Sequence, residues 1–371
     1  MIIGVVKEIK DQESRVAATP ASVKELVEQG NTVYIEKAAG LASGFTDEKY
    51  ISKGATILDT AKEVWEKSDI IYKVKEPIES EYKYLRPGLI VYSYLHLSAD
   101  PKLTKEMIDK KVTSIAFETI EVNDTLPLLK PMSEVAGRMA VQEGAKYLTI
   151  PMGGKGVLLE GVPGVSPAHV VIIGSGTVAN AATRMAVGMG ARVTVIGRNI
   201  EKLGKFIDVF SGAIETLYST PGNIEDALKS ADLVVSTVLT PGHKAQKIVT
   251  EEMVKNMEKG SVIVDVAIDQ GGSIETTENH PTSYSDPVFV KHGVIHYAVT
   301  NIPGAVAKTS TYALSNATSK YINLIAKYGL KNSIKHAKEI ASGINTYDGK
   351  VTYKAVADDL GYDFHELSDL L

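Results

Sequence analysis

With 371 residues, 44% of them hydrophobic and 23% charged, the chain is long enough for two domains and has an ordinary folded composition. Forty Lys and Arg against 45 Asp and Glu leave a net charge of -5, which gives no electrostatic basis for nucleic acid or an anionic membrane as partner. Cysteine is absent, which excludes disulfides, thiolate metal sites and cysteine nucleophiles.

The opening "MIIGVVKEIK" lacks the basic-then-apolar layout of a signal peptide, and no run approaches the ~18–20 apolar residues of a membrane helix. A soluble cytoplasmic protein is expected. Short β-branched runs then alternate with helical segments, the pattern of parallel α/β sheets. The first strands are expected at Ile2–Val5, Thr32–Ile35, Asp69–Lys73, Leu89–Tyr92 and Thr113–Phe117. Between the first two, "TPASVKELVEQG" predicts a helix capped by Thr19, started by Pro20 and stopped by Gly30.

A helical stretch, "PMSEVAGRMAVQEGAKYLTI", leads into a second series of strands. These are expected at Val170–Ile173, Val193–Ile196, Ile214–Leu217, Leu233–Ser236, Val262–Val266 and Val294–Val299. Six strands with intervening helices suffice for a full dinucleotide-binding domain. A second long helix, within "GAVAKTSTYALSNATSKYINLIAKYG", leads back out. The simplest arrangement is two Rossmann-like, doubly wound parallel-sheet α/β domains. Residues 1–128 and 306–371 form a discontinuous substrate domain, and the nucleotide domain, 129–305, is inserted into it.

After the strand ending at Ile173, Gly174-Ser175-Gly176-Thr177-Val178-Ala179 fits G-x-G-x-x-A. Gly174 permits a tight turn, Gly176 lets a diphosphate approach the backbone, and Ala179 allows close helix–strand packing. The free amides and partial positive charge at the helix start then hold the phosphates. Alone this motif is weak; between a strand and a helix of a six-strand unit it predicts nucleotide binding. The next strand ends at Gly197-Arg198, where an acidic residue would bond the ribose hydroxyls and repel the 2′-phosphate of NADP. Gly197 removes that repulsion and Arg198 offers a phosphate partner. NAD is the expected cofactor, with room left for NADP.

Open α/β sheets bind ligands beyond the carboxyl ends of their strands. Arg15, Lys75 and His96 follow strands of the first part, and Asp269 follows "SVIVDVAI" in the second. All four are expected to face a cleft between the domains. Such a set suits hydride transfer at a carbon bearing nitrogen beside a carboxylate. Arg15 offers a planar fork to the carboxylate, Lys75 a point charge to a carbonyl oxygen, His96 proton exchange near neutral pH, and Asp269 an acceptor for ammonia or an amine. Taken singly, Arg15 and Lys75 read as surface charges, His96 as a packed or solvated residue, and Asp269 as a turn initiator. The other seven histidines form no metal-ligand spacing, so no metal site is expected. No nucleophile elbow or P-loop appears either.

The blocks "GVVKEIKDQESRVAATP", "YKVKEP", "YLHLSADP", "PLLKPMSEVAGRMAVQ", "GGKGVLLEGVPGV", "VIVDVAIDQGG" and "VIHYAVTNIPGAVAKTSTYALSNAT" resemble, in order along almost the whole chain, the bacterial L-alanine dehydrogenases. That resemblance implies a homohexamer converting L-alanine, NAD⁺ and water reversibly to pyruvate, NADH and ammonium. It makes Arg15, Lys75 and Met132 substrate ligands, with Asn301 near substrate and nicotinamide. It makes His96 the acid/base and implicates Asp269 in catalysis. It assigns Ser133, Lys202, Ser219, Val238, Leu239, Ile268, Asp269 and Asn301 to cofactor contacts, beside the glycine turn with Gly197 and Arg198. The family usually carries aspartate where this chain has Gly197, proline at Val6 and Ala307, and cysteine at Ser273. Two alternatives stand beside this reading: a non-catalytic NAD(H)-binding module of transhydrogenase type, and a dehydrogenase for a larger amino acid.

Overall fold

The computed structural model describes residues 1–238 and 246–371. They divide into two compact units, the first Met1–Met132 with Gly304–Leu371 and the second Ser133–Pro303. The chain passes between them at Met132–Ser133 and again at Pro303–Gly304.

The first unit is built on an eight-stranded sheet. Its strands are β1 (Ile2–Val5), β2 (Thr32–Glu36), β3 (Thr56–Leu58), β4 (Ile70–Tyr72), β5 (Ile90–Ser93) and β6 (Thr113–Ala116). After the second unit, whose strands take the numbers seven to thirteen, the chain adds β14 (Ile344–Tyr347) and β15 (Lys350–Val351) to the same sheet. The order is β15-β14-β6-β5-β4-β1-β2-β3, and β1 to β6 run parallel. β14 and β15 join antiparallel. Strands β4, β5 and β6 are buried throughout, as β-branched runs covered on both faces should be.

The first helix spans Pro20–Glu28, and the Thr19 side chain accepts from the Ser22 amide at its start. A helix over Ala307–Tyr328 supplies much of this unit's covering layer through hydroxyl-bearing residues. Thr311 Oγ1 accepts from the Val16 amide at 3.2 Å, Ser315 Oγ from the Thr19 amide at 3.3 Å, and the Thr318 carbonyl from the Tyr92 hydroxyl at 3.1 Å. These short polar side chains let the helix lie close to the backbone of the N-terminal segment while satisfying its orphan donors.

The second unit has a seven-stranded sheet made of β7 (His169–Ile173), β8 (Arg192–Gly197), β9 (Ile214–Tyr218), β10 (Leu233–Ser236), β11 (Val262–Asp265), β12 (Val288–Lys291) and β13 (Val294–Tyr297). The order is β12-β13-β11-β10-β7-β8-β9. All pairings are parallel except β12 with β13. Counting from its own first strand, each unit's parallel core runs 3-2-1-4-5-6, the doubly wound order.

The sequence reading locates every strand of the two parallel cores except β3, and it misses the three antiparallel strands, β12 and β15 at sheet edges and β14 between β15 and β6. β3 has three residues, with its first one exposed, and β12 carries no fully buried residue. Half-exposed edges lack the continuous apolar run that marks a buried strand. The sheets are therefore mixed and parallel-dominated rather than purely parallel. Among the described residues no helix is long and apolar enough to cross a membrane.

Candidate functional site

In each unit the strand order reverses beside the first strand, between β1 and β4 and between β7 and β10. Ligands of open α/β sheets bind at that reversal, outside the carboxyl ends of the strands. Arg15 and Lys75 follow β1 and β4 at the first reversal and the glycine turn follows β7 at the second, whereas His96 and Asp269 follow β5 and β11, one strand further along each sheet.

In the second unit β7 ends at Ile173 and a helix over Thr177–Gly188 follows the glycine turn. Gly174 has φ +126°, and a Cβ there would come within 2.2 Å of Thr237 Oγ1, at the end of the neighbouring β10. Only glycine fits so tight a reversal. Gly176, by contrast, is exposed and would carry a Cβ into open space. Its bare backbone and the amides of the helix start give an anionic diphosphate an approach, so the residues present fit a dinucleotide. Ala179 is fully buried, while Ser175, Thr177 and Val178 lie around the turn.

The helix spanning Lys130–Tyr147 packs on this dinucleotide helix. A Cβ at Gly137 would meet the Val178 carbonyl oxygen at 2.3 Å, so the "MSEVAG" block owes its glycine to this contact. Ser133 is half-buried near that helix's start. At the end of β8 a Cβ on Gly197 would lie 3.0 Å from Ser175 Cβ, so the carboxylate-free strand end adjoins the glycine turn. The Ser219 amide donates to the Gly197 carbonyl at 3.0 Å. Arg198 is exposed and donates through Nη2 to Gln246 Oε1 at 2.9 Å, and exposed Lys202 stands in the first turn of the next helix, capped by Asn199. Val238 is half-buried just beyond β10; Leu239 lies outside the described residues.

Asp269 sits exposed in a one-turn helix, Ile268–Gln270, after β11, with Ile268 buried beside it. Its carboxylate accepts from the Asn301 amide at 3.3 and 3.4 Å, and Asn301 adopts a left-handed φ of +56°. The loop is held from below by Asp265, which is fully buried. It accepts from the amides of Ala267 and Ser273 and from the hydroxyls of Ser273 and Thr277. Burial raises the Asp265 carboxyl above the ordinary range, opposed by those four bonds. Lys247 Nζ adds bonds to the Gly271 and Gly272 carbonyls at 2.6 and 2.9 Å.

In the first unit Arg15 is buried, 2% exposed, and is no surface charge. Its Nε and Nη2 grip the two oxygens of Glu13 side-on, and Nη1 reaches Met132 Sδ at 3.0 Å. Burial opposes the guanidinium charge, and the Glu13 carboxylate outweighs it, so Arg15 stays cationic. Met132 is buried against it. Lys75 lies half-buried beyond β4.

His96 follows β5 in the left-handed region, φ +50°, costly for a residue with a Cβ. Glu118 imposes that turn: its carboxylate accepts from the amides of Leu95 and His96, the latter at 2.6 Å. Glu118 Oε1 also lies 3.8 Å from His96 Nδ1, and the ring stacks on Tyr94 at 6.1 Å with 4° between planes. The imidazole is 46% exposed on its other side. A histidine backed by a carboxylate and open to solvent is placed for proton exchange.

The first unit thus holds an imidazole, an ammonium and a buried guanidinium, and the second holds a glycine turn with open backbone and an exposed carboxylate. Residues 4–136 match the family model described as "Alanine dehydrogenase/PNT, N-terminal domain", and residues 140–354 match its C-terminal counterpart. The chain belongs to the alanine dehydrogenase/PNT family. It is 56% identical to an alanine dehydrogenase of Methanococcus maripaludis over 96% of each chain. It is 54% identical to that of Bacillus subtilis, over 98% of this chain and 96% of the relative. A solved L-alanine dehydrogenase matches with a TM-score of 0.94 at 45% identity, covering 97% of this chain and 99% of that one. A transhydrogenase from Sinorhizobium meliloti shares the fold, with a TM-score of 0.82 at 24% identity over 95% of this chain and 100% of that one.

Glu8, Glu13, Glu118 and Asp265 escape the sequence reading. Each is a carboxylate next to a candidate residue in the chain or in space, and each reads in the sequence as solvated charge. The nearest signal is adjacency: Glu13 in "ESRVA" and Asp265 in "VDVAID" lie two and four residues from Arg15 and Asp269.

Proposed function

We propose that this chain catalyses the reversible oxidative deamination of L-alanine to pyruvate and ammonium, with a nicotinamide dinucleotide as hydride acceptor. The observation that carries the reading is the buried Arg15–Glu13 pair with His96 backed by Glu118, inside a chain related over its full length to alanine dehydrogenases. When bound, the dinucleotide accepts a hydride from the substrate Cα or returns one.

The chain's own groups divide the remaining work. Arg15 binds the substrate carboxylate, and its side-on pairing with Glu13 fixes the plane of the fork. Lys75 supports the carboxylate or the carbonyl oxygen as charge develops there. His96 takes a proton from the amine or from attacking water in deamination and returns it in amination. Asp269, beside Asn301, holds the ammonium or amine by hydrogen bonds. The glycine turn, with Ser133, Lys202, Ser219, Val238 and Ile268, holds the dinucleotide. With Gly197 in place of a carboxylate and Arg198 beside it, we infer that the site takes NADP as well as NAD.

We further infer a cytoplasmic homohexamer. Ile150, Met152, Leu158, Val162 and Val165 are 43–69% exposed within one short stretch, an apolar cluster of the kind that assembly covers. Val165→Asp is expected to shift the protein to smaller species in sedimentation, and an unchanged profile sets this surface aside.

The reaction is tested by offering purified protein pyruvate and larger 2-oxo acids with ammonium and NADH or NADPH. Pyruvate is expected to be preferred. A clear preference for a larger oxo acid favours the larger-substrate alternative, and no turnover with any of them defeats the enzymatic reading.

A further inference from the structure

At the strand reversal of the first unit lies a buried charge network that the reaction outlined above does not use. Glu8, on the loop after β1, is 6% exposed, and Lys73, just after β4, is 1% exposed. Lys73 Nζ donates to both Glu81 oxygens, at 2.9 and 3.2 Å, and lies 3.4 Å from Glu8 Oε2. The other oxygen of Glu8 turns to the backbone. Its Oε1 accepts from the Val74 amide at 2.6 Å and the Lys75 amide at 3.4 Å.

Burying two carboxylates around one ammonium is expensive, and an apolar cluster of the same volume would usually serve stability as well. Burial pushes the Glu8 carboxyl up, against the pull of Lys73 and the Val74 amide. Lys73 is held above its ordinary range because the two carboxylates outweigh its burial. Glu8 also interacts electrostatically with Glu13 and Arg15. The network therefore touches both residues proposed to meet the substrate carboxylate: Lys75 through its own amide, and Arg15 through charge.

We propose that Glu8 is a positioning residue for the 2-oxo-acid carboxylate site. Its anchored carboxylate, held by Lys73, fixes the Val74–Lys75 backbone and so aims the Lys75 ammonium. Just beyond the end of β4, Glu8 supplies an acceptor to the Val74 and Lys75 amides. The charge on Glu8 strengthens the bond to Val74, and Lys73 keeps that charge in place without competing for the same oxygen. The proposal rests on the alanine dehydrogenase reading for the identity of the ligand.

Glu8→Ala, Glu8→Asp and Glu8→Gln test it by steady-state amination of pyruvate, with amide exchange at Val74 and Lys75 measured in the unliganded protein. Alanine removes the acceptor, and aspartate withdraws it by one methylene. Both are expected to raise KM for pyruvate about tenfold or more, to leave KM for NADH within twofold, and to speed exchange at the two amides. Glutamine keeps an acceptor oxygen and is expected to restore slow exchange and most of the pyruvate KM. If the alanine protein does not fold, the aspartate variant carries the same reading. Unchanged pyruvate KM in the aspartate and alanine proteins overturns the proposal, as does an equal rise for pyruvate and NADH. If the unaltered protein fails to aminate pyruvate, the reaction assigned here is wrong. The exchange measurement still decides whether Glu8 holds this backbone, and unchanged exchange in Glu8→Ala overturns that too.

Discussion

Gly197→Asp is expected to cut kcat/KM with NADP⁺ by about 10²-fold or more while leaving that with NAD⁺ equal or improved. The new carboxylate would stand at the end of β8, beside the glycine turn, where the ribose of a bound adenosine lies in folds of this order. A 2′-phosphate some 4 Å away would meet it with about 4 kcal/mol of repulsion per unit charge near a surface. Solvent screening removes part of that, and every 1.4 kcal/mol retained is tenfold. For NAD⁺ the same carboxylate would accept the ribose hydroxyls. Ser175 sets the fit, because a Cβ at position 197 lies 3.0–3.1 Å from its side chain and 3.2 Å from Leu203 Cδ2. Ser175→Gly, which removes both of those contacts, combined with Gly197→Asp is therefore expected to improve NAD⁺ use beyond the single change. Initial rates with both dinucleotides measure this. A wild-type protein that rejects NADP⁺ as strongly as Gly197→Asp does would show that the missing carboxylate is irrelevant to cofactor choice.

His96→Ala is expected to lower kcat by about 10²–10⁴-fold in both directions, the usual contribution of a positioned acid/base. The binding of NADH should be almost unaffected, since His96 belongs to the first unit and the diphosphate turn to the second. Glu118→Gln offers a finer check. It keeps an acceptor for the Leu95 and His96 amides, but removes the negative charge 3.8 Å from Nδ1. A smaller loss of rate than in His96→Ala is expected. Full turnover in His96→Ala would take the imidazole out of the chemistry.

How far the sequence reveals this molecule depends on what kind of interaction shapes each part. The parallel cores were legible because strands buried on both faces must be apolar and β-branched, as in "HVVII" and "VIVD". The glycine turn was legible because only glycine tolerates φ +126° against Thr237. The antiparallel strands β12, β14 and β15 were not, since their pairing is decided by neighbours in the fold rather than by their own pattern. The same holds for the site. Arg15, Lys75, His96 and Asp269 stand out as residue types at strand ends, yet nothing local announces that Arg15 is buried in a side-on pair. Nor does it announce that His96 is turned into a left-handed conformation by a glutamate 22 residues on. Carboxylates that work by accepting backbone amides carry no periodicity, and they look like solvated charge until the fold brings their donors to them.

The division of the first unit between the two ends of the chain bears on how it is made. A ribosome makes Met1–Met132 before Ser133–Pro303, yet the Ala307–Tyr328 helix that satisfies Val16 and Thr19, and the β14 that pairs with β6, are made only after both. At ~5–20 residues per second the intervening segment takes on the order of ten seconds or more to emerge. Throughout that interval the nascent β6 edge and the N-terminal loop stand unsealed. The second unit, continuous in sequence, is fully synthesised before the first, so loss of the Ala307–Tyr328 helix should leave a folded second unit attached to an aggregation-prone remnant.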